Sequence, residues 1–165
     1  MQHNVTLIPQ RTGMGCWAAS IAMILGWRNQ ASFDPHMIAA NPGGTDYMPS
    51  LSSGLDPNDR YILGQNGFQV EEPMCYTSGL VYDMLMDFGP LWLAGLVPLP
   101  GTTGLSPHIR VVTGFEGGRV YINDPWPVNS GAVYQRSFEV IFVNQMESLG
   151  AREMREPTPI YLAHL

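Results

Sequence analysis

The longest run of apolar positions, CWAASIAMILGWR at residues 16 to 28, has no polar stripe at helical spacing, which predicts a helix buried on nearly every face. Gly13 and Gly15 stand just before it and permit a tight approach turn, while Gly26 and the polar residues from Arg28 to Ser32 mark its end. Asp34-Pro35 ahead of HMIAA reads as an N-cap, a first-turn proline and a short second helix, with His36 decorating its start. From Asn41 to Asp59 the chain is rich in Pro, Gly, Ser and Asp, an irregular excursion that is a candidate substrate-facing loop. A short helix is expected over Arg60 to Asn66, ending at Gly67, and another over Ser78 to Phe88, closed by Gly89-Pro90.

The second half has a different period. LWLAGLV (91–97), HIRVVTGF (108–115), RVYINDP (119–125), SFEVIFV (137–143) and PIYLAHL (159–165) are short runs of branched and aromatic residues between Gly, Pro and Asn, and each predicts a strand. Helices first and strands second predict one α+β domain over residues 1–165, with the buried N-terminal helix packed against a C-terminal antiparallel sheet. The six phenylalanines, seven tyrosines and four tryptophans spread along the chain argue against disorder.

Composition narrows the function. The net charge is −6 with no basic cluster, so a phosphate-tracking surface and a nucleic-acid partner are not expected. All eight cations are arginine, which fits biased codon usage or avoidance of lysine-directed tagging in a foreign cell. No run approaches the roughly twenty apolar residues of a membrane span, and MQHNVTLIPQ lacks the form of a signal peptide, so no membrane partner is expected. Two cysteines, Cys16 and Cys75, make neither a disulfide framework nor a zinc motif; a reducing compartment fits, and a Cys16–Cys75 bridge is the less favoured alternative.

Cys16 falls in the first turn of the buried helix, where unpaired N–H groups and the helix dipole favour a thiolate. Position alone leaves two readings open, a nucleophile or a small residue filling an apolar gap. A second stretch, SPHIRVVTGFEGGRVYINDPWP (106–127), bears on the choice. GFEGGR reads as a hairpin turn, and a three-residue loop would set Phe115 opposite Arg119 and Asp124 opposite Arg110, one diagonal step from His108 on the same face. A two-residue loop would shift the parity and separate them. Gln10, six residues before Cys16, supplies an amide that could donate to an oxyanion together with the Cys16 N–H. Cys75 follows Glu71, Glu72 and Pro73, whose acids oppose a thiolate, and is expected to be inert or partly buried; His3 and His164 lie near the termini.

Gln10, six residues on Cys16, then Trp17, with glycines between and His108 late in the chain, resembles the active-site segment of papain-like cysteine peptidases. Papain itself uses Asn as third member. Asp124-Pro125, sixteen residues after the histidine, is more similar to the bacteriocin-leader-processing (double-glycine) peptidases, which are fused to transporters; Asn123 beside it leaves that assignment open. Similar compact domains also occur as bacterial effectors and toxins, the group that the absence of a transporter segment favours. The resemblance implies a papain-like fold and a cysteine endopeptidase with catalytic Cys16, His108 and Asp124, oxyanion donor Gln10, and Trp17, Asn123 and Trp126 as candidate site-shaping residues. It implies no metal and no cofactor, a protein or peptide substrate, and, for a toxin, a cognate immunity protein in the producer. Acyl transfer, a transglutaminase-like reaction or glutamine deamidation on the same residues, and a catalytically inactive binding module, are the alternatives.

Overall fold

The structure, a computed structural model, describes residues 1–42, 44–56, 60–72, 74–98, 103, 105–143 and 161–165. Helix α1 spans Cys16–Asn29, followed by α2 (Pro35–Ala40), the single turn α3 (Ser50–Ser53), α4 (Tyr61–Gln65) and, after the two-residue strand β1 (Gln69–Val70), α5 (Ser78–Phe88). Strands β2 (Leu91–Val97), β3 (Ser106–Glu116), β4 (Arg119–Asp124), β5 (Ala132–Ser137) and β6 (Tyr161–His164) complete an antiparallel sheet in the order β1-β6-β2-β3-β4-β5. The expected α+β architecture is present. Among the described residues no helix is long and apolar enough to cross a membrane.

Helical and sheet sequences follow their local chemistry. The Asp34 side chain accepts from the His36 N–H at 2.9 Å with Pro35 in the first turn, and the Thr77 hydroxyl accepts from the Leu80 N–H at 3.2 Å, so α2 and α5 start where side chains satisfy free N–H groups. Gly89, at φ +87°, closes α5 in a conformation that a side chain disfavours. β2 is apolar at every position because both faces of the sheet are covered. On one side Trp92, Ala94, Val111 and Ala163 pack with Trp17, Ile21 and Ile24 of α1; on the other Leu91, Leu93, Val112 and Ile122 pack with Val81 and Leu85 of α5. α1 lies against β2 and β3, which carries its first turn to the rim of the sheet.

Three sequence expectations need correction. SFEVIFV is not a strand: β5 ends at Ser137 and Glu139–Val143 forms a π-helical turn. Ile141 and Phe142 are 2% and 0% exposed whereas Val140 and Val143 are 44% and 39% exposed, and Phe138 stacks on Phe142 with ring centroids 4.9 Å apart. Burial at positions 138, 141 and 142 is a helical spacing, and it outweighs the β preference of the branched residues. Strands β1 and β5 had no sequence signal, the first for its length and the second because AVYQRS is a half-exposed edge strand. The excursion at 41–59 contains α3, and its positions 43 and 57–59 lie outside the described residues, as do 159 and 160 of the last expected strand.

The hairpin turn also differs. Its loop has two residues, Gly117 and Gly118, both at positive φ, and it pairs Glu116 with Arg119 and Gly114 with Tyr121. A β-bulge then leaves Thr113 without an opposite number, and beyond it Val112 pairs with Ile122 and Val111 with Asn123. The shorter loop shifts the parity by one and the bulge shifts it back. The Asp124 end of β4 thus has the register that a three-residue loop would have produced. The N-terminal segment supports the bulge: the His3 N–H donates to the Thr113 carbonyl at 2.7 Å, and the Met1 carbonyl accepts from the Phe115 N–H at 3.0 Å. A Cβ on Gly114 would meet the Met1 carbonyl oxygen at 2.6 Å, so only glycine allows this approach.

Candidate active site

Cys16 is the first residue of α1, reached through the turn at Thr12–Gly15, and among the described residues no side chain caps that helix end. The first-turn N–H groups of a helix have no partner within the helix, and here they lie beside a buried sulfur. His108 stands near the start of β3 and Asp124 at the end of β4, both buried. His108 Nε2 donates to Asp124 Oδ1 at 2.6 Å, which leaves Nδ1 as the nitrogen available to the Cys16 sulfur. Cys16, His108 and Trp17 line one cleft with Met14, Leu55 and Tyr161 among its other walls. The excursion does reach the site, because Gly54, Leu55 and Asp56 form part of that wall.

The electrostatics follow from this arrangement. Burial alone would push the His108 imidazole below its ordinary value, but its hydrogen bonds to Asp124 and Cys16, with the charges of both, raise it to about 9. Burial likewise favours a protonated Asp124, and it is outweighed by the hydrogen bond and charge of His108, the Trp126 N–H and the Tyr134 hydroxyl, which together hold the carboxyl below the usual range. Asp124 Oδ1 accepts from the Trp126 N–H at 2.9 Å and Oδ2 from the Tyr134 hydroxyl at 2.9 Å. An anionic acid, a cationic ring and a sulfur thus meet at one rim of the sheet.

The remaining sequence candidates are placed as follows. Gln10 is 1% exposed beside Gly15, and its Nε2 donates to the Thr12 carbonyl at 2.8 Å and the Gly13 carbonyl at 3.0 Å, so both amide hydrogens are held by the turn. Its backbone is stapled to the segment after Asp124: the Gln10 N–H donates to the Pro125 carbonyl at 3.0 Å, and the Gln10 carbonyl accepts from the Asn129 N–H at 2.8 Å. Trp17 is fully buried, its indole N–H donating to the Ser50 carbonyl at 3.4 Å. Trp126 meets Asp124 through its backbone N–H. Asn123 is not at the histidine: strand alternation turns it away from Asp124's side, and its amide donates to the Val5 carbonyl at 2.9 Å. Cys75 is exposed rather than partly buried, and both cysteines are free thiols. His3 bonds the Leu85 carbonyl, and His164 is buried against Glu71.

Two residues of the site went unread in the sequence. Tyr134 lies on β5, where no strand was expected, and Arg110, seen only as a register partner, brings Nη1 within 3.5 Å of the Tyr134 hydroxyl. The signal for Tyr134 was its position diagonal to Asp124, legible once Asp124 is paired with Ala132.

A helix-borne thiol facing an imidazole that a buried carboxylate orients is the working arrangement of a cysteine peptidase. Residues 1–142 match the family described as "Papain-like cysteine protease AvrRpt2", and the chain belongs to that family of papain-like cysteine proteases. No curated protein matches the sequence. Among solved structures, a putative C39-like peptidase from Bacillus anthracis aligns at 17% identity and TM-score 0.57 over 99% of this chain and 95% of that one. The peptidase domain of Streptococcus ComA, a bi-functional ABC transporter of a quorum-sensing pathway, aligns at 15% identity and TM-score 0.58 over 98% of each chain. A double glycine motif protease from an AMS/PCAT transporter, solved with its leader peptide, aligns at 20% identity and TM-score 0.52 over 98% of this chain and 91% of that one. These likenesses establish the fold.

Proposed function

We propose that the protein is an endopeptidase that cleaves a protein target through Cys16, His108 and Asp124, with Gln10 and the Cys16 N–H stabilising the oxyanion. The observation that carries this reading is the 2.6 Å bond from His108 Nε2 to Asp124, which leaves Nδ1 for Cys16 and keeps the ring protonated beside the sulfur. In the resulting thiolate–imidazolium pair, sulfur adds to the substrate carbonyl and the negative charge passes to the carbonyl oxygen. His108 gives its proton to the departing amine, leaving a thioester and a neutral imidazole. That imidazole takes a proton from water, hydroxide displaces the thiolate, and the acid product leaves with the pair restored. Donation by Gln10 to the oxyanion requires it to give up one of its two carbonyl bonds in the turn.

The substrate is a polypeptide, in keeping with the apolar cleft beside the pair and with the leader peptide bound by the AMS/PCAT protease. The acidic, lysine-free composition supports action inside another cell as a delivered effector, for which the producer would hold a neutralising partner. Candidate proteomes are exposed to the wild type and to Cys16→Ala, and new N-termini are read by mass spectrometry. Termini that appear only with the wild type are expected. A mass change of about one dalton on an intact target would point to deamidation and an added group to acyl transfer; either would overturn the endopeptidase reading.

A further inference from the structure

Behind the pair, the chain of contacts continues for two more residues. Tyr134 is partly buried on β5, its ring covered by the Arg136 guanidinium 5.1 Å from the centroid. Its hydroxyl donates to Asp124 Oδ2 at 2.9 Å, while Arg110 Nη1, from buried Arg110 on β3, lies 3.5 Å from the phenol oxygen. A cation on the oxygen side leaves the hydroxyl hydrogen for the carboxylate, so the polarity of the chain is set from Arg110 toward Asp124. Asp124 then has both oxygens engaged, Oδ1 by His108 and the Trp126 N–H and Oδ2 by Tyr134.

We propose that Tyr134 is a positioning residue of the active site, which, backed by Arg110, locks the Asp124 carboxylate in the rotation that presents Oδ1 to His108 and excludes water from Oδ2. This rests on the Cys16–His108–Asp124 reading and deepens it. Without the hydroxyl, the carboxylate is held through Oδ1 alone and takes water at Oδ2, and hydration weakens its hold on the imidazole. The charged and titratable groups around His108 are Cys16 from α1, Asp124 from β4, Arg110 from β3 and Tyr134 from β5, with Asp56 and Tyr161 on the cleft wall. Burial keeps the Tyr134 phenol above its ordinary value, with Arg110 opposing and Asp124 reinforcing that shift, so it remains a donor wherever His108 is charged.

The test uses iodoacetamide on the full chain, with alkylation of Cys16 and Cys75 followed separately by peptide mass spectrometry against pH. In the wild type Cys16 is expected to react faster than Cys75 near neutral pH, with an upper inflection near the His108 value of about 9. Tyr134→Phe, which keeps the ring, is expected to lower that inflection by roughly one pH unit, leaving the Cys75 profile unchanged. A profile that superimposes on the wild type, or an inflection that rises, overturns the proposal; a purely structural role would lower the melting temperature and leave the inflection in place. Should the variant not fold, wild-type NMR decides. A slowly exchanging Tyr134 hydroxyl proton coupled through space to the His108 Nε2–H supports the lock, and a hydroxyl averaged with water overturns it. Wild-type Cys16 that reacts no faster than Cys75 removes the thiolate–imidazolium pair itself, and this proposal with it.

Discussion

Among the described residues two histidines are buried against carboxylates, and they differ in what lies on the other side of the ring. His108 and His164 are 3% and 2% exposed, and their Nε2 atoms lie 2.6 Å from Asp124 and 2.8 Å from Glu71. At His108 the second nitrogen faces Cys16 and a cleft, and the acid has two further donors. At His164 Nδ1 has no hydrogen-bond partner among the described residues, Phe88 stacks on the ring with centroids 3.7 Å apart, and the pair ties β6 to the segment after β1. A histidine–acid contact is therefore common structural material; what makes one of them chemical is the group waiting on the other side of the ring.

The contrast can be broken from either end. Cys16→Ala should reduce cleavage of a mapped target peptide by about 10⁶-fold with little change in melting temperature, while Cys75→Ala should leave turnover within about twofold, as expected for an exposed thiol outside the cleft. Asp124→Ala should lower kcat by roughly 10³- to 10⁴-fold in steady-state assays, whereas Glu71→Ala should lower it by less than about threefold. Gln10→Ala should cost roughly 10²- to 10³-fold, read as kcat at unchanged KM.

Above pH 9 the imidazolium is lost, so kcat/KM should decline by about tenfold per pH unit on that limb. The same proton bears on stability. The folded-state value is raised from 6.5 to about 9, so the stabilisation from the His108 pair is fully present below pH 6.5 and is lost as pH rises through 9. A denaturant midpoint measured at pH 6 and pH 10 should fall at the higher pH in the wild type, and fall less in His108→Gln. The smallest effect is expected at His164→Gln, a loss of about 1 kcal/mol in chemical denaturation with turnover preserved.

Cys16, His108 and Asp124 stood out as candidates in the sequence because each sits at an element end that punctuation residues mark: Gly15 before α1, Pro107 beside His108, Pro125 after Asp124. The expected meeting of His108 and Asp124 was correct for an incomplete reason. Loop length was one residue too long, and the bulge at Thr113, whose only local mark is the mid-strand Gly114, cancels the difference. Tyr134 stayed hidden because β5 is an edge strand whose burial alternates too weakly to register as a period. The misread SFEVIFV shows the opposite failure, since branched residues announced a strand and a partner surface, the core below α5, selected a helical spacing instead. Nor does residue type alone tell that Gln10 would find two carbonyl acceptors within its own turn.

The stapling of Gln10 to Pro125 and Asn129 has a mechanical consequence. The segment that carries the Gln10 amide and the segment that follows the acid beneath the ring share a single mount, so a displacement of one moves the other with it. The sulfur, at the tip of α1, is joined to the same mount through the turn whose Thr12 and Gly13 carbonyls hold the Gln10 amide. Damage to this mount should therefore disturb both partners at once, and paired substitutions at Gln10 and Asp124 should cost less together than their separate losses combined.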